Sequence, residues 1–96
     1  MSIWVTLEME VAEGQFEKLE PFLADHLPAV RGFVGALSVT LYYDEDTRSL
    51  LIVEEWLSKA HHAAYIQAIS ENGVMVQLVS FMTAPPKVEY YKRLVI

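Results

Sequence analysis

The chain has 96 residues, 53% of them apolar, with 13 acidic and 7 basic side chains and no cysteine. That length allows a single domain, 1–96, and the aromatic and β-branched content excludes intrinsic disorder. The formal charge of −6 argues against a nucleic-acid surface, and the missing cysteines remove disulfides, thiolate catalysis, Cys-ligated zinc and iron–sulfur clusters.

Ile3–Glu10 alternates, with Ile3, Val5, Leu7 and Met9 on one face and Trp4, Thr6, Glu8 and Glu10 on the other, so it reads as a strand. After Ala12-Glu13-Gly14, the residues Phe16, Leu19, Leu23 and Leu27 recur at three- and four-residue steps and predict a helix. Pro21 should kink it, and Pro28, with Gly32 and Gly35 beyond, should end it. Ala36–Tyr43 and Leu50–Leu57 read as strands joined through the polar loop Asp44–Ser49. Ser58 is placed to cap a helix from Lys59 to about Ser70, stopped by Asn72-Gly73. Val74–Met82 suits a short extra helix, Ala84-Pro85-Pro86 a loop, and Val88–Val95 a last strand.

The order β-α-β-β-α-(α)-β is the ferredoxin-like split βαβ plan, an α+β fold with a four-stranded antiparallel sheet and helices on one face. Several strands are apolar on both sides, as in Ile3-Trp4-Val5 and Leu50-Leu51-Ile52-Val53, and the mean hydropathy is positive, +0.24. A bare sheet face of that kind is expected to be covered by a second copy, giving a homodimer through sheet faces. The longest uncharged run, Asn72–Pro86, is too short and too polar to span a membrane. The N-terminus has no basic segment before Glu8, so the cytoplasm is the expected address.

One segment carries a resemblance. Glu54-Glu55-Trp56-Leu57-Ser58-Lys59-Ala60, a strand ending in Glu-x-Trp-x-Ser before a helix, resembles the antibiotic-biosynthesis monooxygenase (ABM) family. Arg31 and Gly35 fit the family's Arg-x-x-x-Gly element, and Gly14, Tyr42, Asp44 and the proline before the last strand fit as well. The resemblance implies a dimeric α+β barrel and a substrate cavity between helices and sheet. It also implies chemistry without flavin, metal or haem, in which a phenol or hydroquinone is deprotonated and its anion reacts with dioxygen. Many members carry a histidine nine residues after the tryptophan, where this chain has Tyr65. The haem-degrading branch is disfavoured, because Leu7 and Ile66 occupy the comparable ligand positions.

Within that frame Trp56 can floor the cavity and orient a substrate oxygen through its N–H, or simply fill the core. His61 and Tyr65, four residues apart, share a helix face, while His62 sits about 100° round from His61, near Ile66 and Ile69. A neutral imidazole in an apolar cavity can accept a phenolic proton, so His61 or His62 is the expected base and Tyr65 the hydrogen-bond donor to the oxyanion. The helix N-terminus disfavours imidazolium, and either histidine could instead be a solvated residue. Trp56, Tyr65, Phe16, Leu23 and Phe81 are the expected substrate contacts. No metal is expected, since adjacent histidines point apart and no His-x-x-x-His occurs. Glu8, Glu10, Glu54 and Glu55 could supply a carboxylate base if one faced inward, but an alternating strand more often sends them to solvent. His26 could face the cavity next to Leu23 and Leu27, with solvent or a polar contact the favoured placement.

The expected function is therefore cofactor-independent monooxygenation of a phenolic or quinol-type aromatic with dioxygen. The rivals are a non-catalytic dimeric module that binds a small ligand and an isomerase on the same fold.

Overall fold

The computed structural model describes residues 2–96, so Met1, the first residue of the expected domain, lies outside it. In chain order the elements are β1 (Ile3–Glu10), α1 (Phe16–Arg31), β2 (Ala36–Asp44), β3 (Ser49–Trp56), α2 (Lys59–Glu71), α3 (Val74–Ser80) and β4 (Lys87–Tyr91). The strands form one antiparallel sheet in the order β2-β3-β1-β4. This is the ferredoxin-like arrangement expected from the alternation of periods two and 3.6.

Directly paired residues share a sheet face, so the register sorts the strands. Val5 pairs with Glu54 on one side and Tyr90 on the other, Leu7 with Ile52 and Val88, and Val39 with Glu54. That face packs on the helices: Val5, Leu7, Met9, Val39, Leu50, Ile52 and Trp56 are buried against Leu19 and Val30 of α1, Tyr65 and Ile69 of α2 and Leu78 of α3. The opposite face carries Trp4, Leu51, Val53 and Tyr42, interspersed with Thr6, Thr40, Glu8, Glu55 and Glu89. It is a mixed surface rather than the continuous apolar one the sequence suggested.

Three elements end more than one residue from where expected, each with a local observation beside it. Helix α1 runs through both Pro21 and Pro28 to Arg31 instead of ending at Pro28. The carbonyls these prolines leave unserved are those of Glu17 and Ala24, and all four residues lie on the exposed side of the helix. The helix closes where the Gly32 N–H donates to the Pro28 carbonyl, 3.0 Å away. Strand β4 stops at Tyr91, which pairs with Trp4. That pair lies one residue from the start of β1 at Ile3, and Lys92–Ile96 are exposed, Val95 being 90% so. Helix α3 ends at Ser80, because Met82 instead bridges Val11 and the Ala12 and Thr83 N–H groups donate to the Phe81 and Glu10 carbonyls. Among the described residues, no helix is long and apolar enough to cross a membrane.

Candidate functional site

Strand β3 and helix α2 meet at Leu57-Ser58, and this junction positions the site. The Ser58 hydroxyl accepts the His61 backbone N–H at 3.1 Å and so caps α2. From that start the buried face of α2 is His62, Tyr65 and Ile69, steps of three and four. On β3 the inward residues are Leu50, Ile52, Glu54 and Trp56.

Glu54, which alternation alone sent to solvent, is therefore buried, with 4% of its surface exposed. The Trp56 Nε1–H donates to Glu54 Oε1 at 2.7 Å, and Nε2 of the wholly buried His62 lies 3.6 Å from the same oxygen. On its other side, His62 Nδ1 is 2.8 Å from the Tyr90 hydroxyl oxygen. Aromatic rings fix these groups: Trp56 lies 5.3 Å from Tyr65 and 5.4 Å from His62, and Phe33 contacts both Trp56 and Tyr65 edge-on.

Burial sets the electrostatics. It raises the Glu54 carboxyl above the usual carboxylate range, although the Trp56 hydrogen bond works against this. It lowers the His62 imidazole, keeping the ring neutral. It also pushes the Tyr65 hydroxyl up to about 12, with the Glu54 charge adding to the rise. The site thus holds a carboxyl group with raised proton affinity, a neutral imidazole and a neutral phenol.

Glu54 and Tyr65 open onto a cavity of about 50 Å³ between α1, α2, α3 and the sheet. Its walls are apolar, among them Leu23 and Leu27 of α1, Leu41 and Ile52 of the sheet, and Ile66 and Met75. His26, its ring tilted against Phe22 at 4.3 Å, is a third polar group on the lining, so of its two possible placements the cavity-facing one is found. The space accepts water but not an aromatic ring, for which roughly 150 Å³ is a guide.

The sequence candidates divide accordingly. Tyr65 and Leu23 line the cavity, and Trp56 stands behind Glu54 as its hydrogen-bond donor. Phe16 instead stacks on Tyr43 at 3.9 Å, and Phe81 packs on Phe22 at 5.4 Å, both off the lining. His61 also lies off it: its Nδ1 is 2.6 Å from the Ser58 hydroxyl, and its ring lies over Gly35. Gly35 has φ +91°, and a Cβ there would sit 2.5 Å from the His61 ring, so the Arg-x-x-x-Gly element makes room for this histidine. Arg31 of the same element donates to the Val39 carbonyl at 3.0 Å. Among the described residues, no group of three His, Asp or Glu side chains is placed to hold a metal ion. Glu54 was legible in one respect: it stands two residues before Trp56, and a strand that turns one inward turns both.

The antibiotic biosynthesis monooxygenase family profile matches residues 2–68, which include Glu54, Trp56, His62 and Tyr65 but not Tyr90. The chain belongs to this family. Solved structures agree on the fold. A Bordetella bronchiseptica protein placed among the antibiotic biosynthesis monooxygenases superposes with a TM-score of 0.85 at 17% identity, over 98% of each chain. A conserved Methanosarcina mazei protein gives 0.85 at 13%, over 98% of this chain and 94% of the other. A Mycobacterium tuberculosis protein gives 0.83 at 18%, over 100% of this chain and 98% of the other. No curated protein matches the chain. Identities this low establish the architecture of the ABM chain, and its chemistry has to be argued from its own residues.

Proposed function

We propose that this ABM chain is a cofactor-independent monooxygenase that oxidises a phenolic or quinol-type aromatic with dioxygen, working as one domain in the cytoplasm. The observation that carries the reading is Glu54, a buried carboxyl of raised proton affinity set into the wall of an apolar cavity beside Tyr65. Glu54, rather than His61 or His62, is then the group that meets the substrate hydroxyl.

In this reading Glu54 as carboxylate accepts the phenolic proton, and the Trp56 N–H holds the carboxylate in place. Tyr65, with its hydroxyl pushed up to about 12, stays protonated and donates to the substrate oxygen as negative charge develops there. The electron-rich anion reacts with dioxygen: one oxygen atom becomes a ring carbonyl, and the other leaves as water with the hydroxyl and ring hydrogens of that phenol. No outside reductant enters the balance. The helices must part to admit a ring, since the closed cavity is about 50 Å³. Pairing of two chains through the outer sheet face, centred on Trp4, Leu51, Val53 and Tyr42, belongs to the same reading.

The test is oxygen uptake with a series of naphthohydroquinones, comparing the native chain with Glu54→Gln and Trp56→Phe. Uptake well above background that collapses in Glu54→Gln supports the reading; native rates equal to the uncatalysed background overturn it. The small cavity favours a second reading, a dimeric module that binds a small ligand without chemistry. It predicts saturable binding of the hydroquinone under air with no oxygen consumed, and an isomerase would convert its substrate equally well without oxygen.

A further inference from the structure

His62 and the Tyr90 hydroxyl beside it are the members of the polar cluster that the proposed reaction leaves unused. His62 has no exposed surface, and its Nε2 has no hydrogen-bond partner among the described residues. Such an atom is rare in a folded interior. Nε2 faces Glu54 Oε1 across 3.6 Å, roughly half an ångström more than a hydrogen bond.

The register explains how the ring comes to stand there. Glu54 on β3 and Tyr90 on β4 flank Val5 of β1 in one row across the sheet. His62, descending from α2, touches both ends of that row, 3.6 Å from the carboxyl and 2.8 Å from the hydroxyl. The ring is held edge-on by Trp56 and Tyr90, each at a centroid distance of 5.4 Å. Glu54 opens inward, onto the cavity. Tyr90 opens outward, 38% exposed, onto a groove formed with Ala63, Met75, Pro86 and Val88. His62 therefore joins a buried carboxyl to solvent at the β4 edge of the sheet without itself lining the cavity.

We propose that Glu54, His62 and Tyr90 form a proton relay that carries the proton taken from a substrate hydroxyl out of the closed cavity to solvent. The substrate's identity rests on the reading given under Proposed function; the relay itself rests on the geometry. Glu54 as carboxylate accepts the substrate proton and becomes the acid, whose O–H then donates to the bare Nε2 lone pair of His62. Transfer to Nε2 is matched by loss of the Nδ1 proton to the Tyr90 oxygen, and the Tyr90 hydroxyl proton passes to water. Each group takes up one proton and gives up one: the imidazole ends as its other tautomer, and the carboxylate is regenerated while the cavity is still closed.

The groups facing this path from each packed element are few. Tyr65 of α2 approaches Glu54, Lys59 Nζ of α2 stands 4.6 Å from the centre of the Tyr90 ring, β1 contributes the apolar Val5, and His26 of α1 lies across the cavity. His62 and Tyr90 are positioning residues here, acting on the substrate only through Glu54.

The experiment has a spectroscopic arm and a kinetic arm, both on the full chain. With ¹⁵N-labelled histidine and ¹³C-labelled glutamate, the His62 nitrogen shifts should report a tautomer change with the same midpoint as the Glu54 carboxyl titration, and Glu54→Gln should abolish it. A His62 ring indifferent to Glu54 ionisation overturns the relay. Tyr90→Phe keeps the ring and removes the hydroxyl: turnover should fall about 10-fold with KM little changed, and small weak-acid buffers should restore part of it. Turnover unchanged in Tyr90→Phe also overturns the relay. If the native chain consumes no oxygen, the monooxygenase reading falls and the spectroscopic arm alone decides the relay.

Discussion

Glu54 and Glu55 are joined by one peptide bond and live in opposite surroundings, as do His61 and His62 seven residues on. Glu54 is almost wholly buried and shares its oxygen between Trp56 and the approach of His62. Glu55, on the outer face, accepts the Ser2 hydroxyl at 2.6 Å. His62 is sealed between Trp56 and Tyr90, whereas His61 leans on Gly35 and Ser58 at the junction. Residue type says little about role here; the face of the strand and the phase of the helix decide it.

The widest gap between the two surroundings should open at Trp56. Trp56→Ala removes a fully buried ring and leaves the Glu54 oxygen without its donor, an expected loss of about 3–5 kcal/mol in urea unfolding. Next, Glu54→Gln should lower turnover by about 100-fold or more while Glu55→Gln leaves it within twofold, measured as initial oxygen uptake. Equal effects at the two positions would erase the distinction.

Gly35→Ala then separates the histidines. The new Cβ meets the His61 ring at 2.5 Å in a backbone with φ +91°, so the chain should lose about 2 kcal/mol of stability while the His62 ring signals stay in place.

The buried pair also shapes how stability follows pH. The Glu54 carboxyl is raised in the folded state, so its contribution to stability is full below the unfolded value of 4.5 and is lost as pH rises through the folded one. Lowered His62 acts in the opposite sense, contributing above 6.5 and losing that contribution as pH falls. Glu54→Gln should therefore flatten the decline on the alkaline side of 4.5 in a series of melting temperatures. Each unit by which Glu54 is raised is worth about 1.4 kcal/mol. The smallest effect belongs to the rim: Ser58→Ala removes the α2 cap and should cost about 1 kcal/mol by thermal unfolding.

The same contrast shows what could be read from the chain. Strands and helices were legible because their periods were clear, and the Glu-x-Trp-x-Ser junction marked the family. Tyr65 and Trp56 both follow the inward phase of their elements, Tyr65 reaching the cavity lining and Trp56 standing behind Glu54. Glu54 was misplaced because a carboxylate's affinity for water outweighed the strand parity it shares with Trp56. His61 and His62 could not be separated, since a turn of about 100° lies within the freedom of a helix whose partners are unknown. The cavity's size depended on packing to within a methyl group, which is not written in local pattern.

Helix α1 holds a last consequence. Pro21 and Pro28 bracket Phe22, Leu23, His26 and Leu27, the stretch that faces the cavity. Two rungs are missing from the ladder on the far side of that stretch, so it bows outward more readily than a fully bonded helix of the same length. Any outward give is thus concentrated in one wall of the cavity, opposite the strand that carries the carboxyl. Replacing both prolines by alanine would stiffen that wall, trading the breadth of guests admitted for a tighter resting shell.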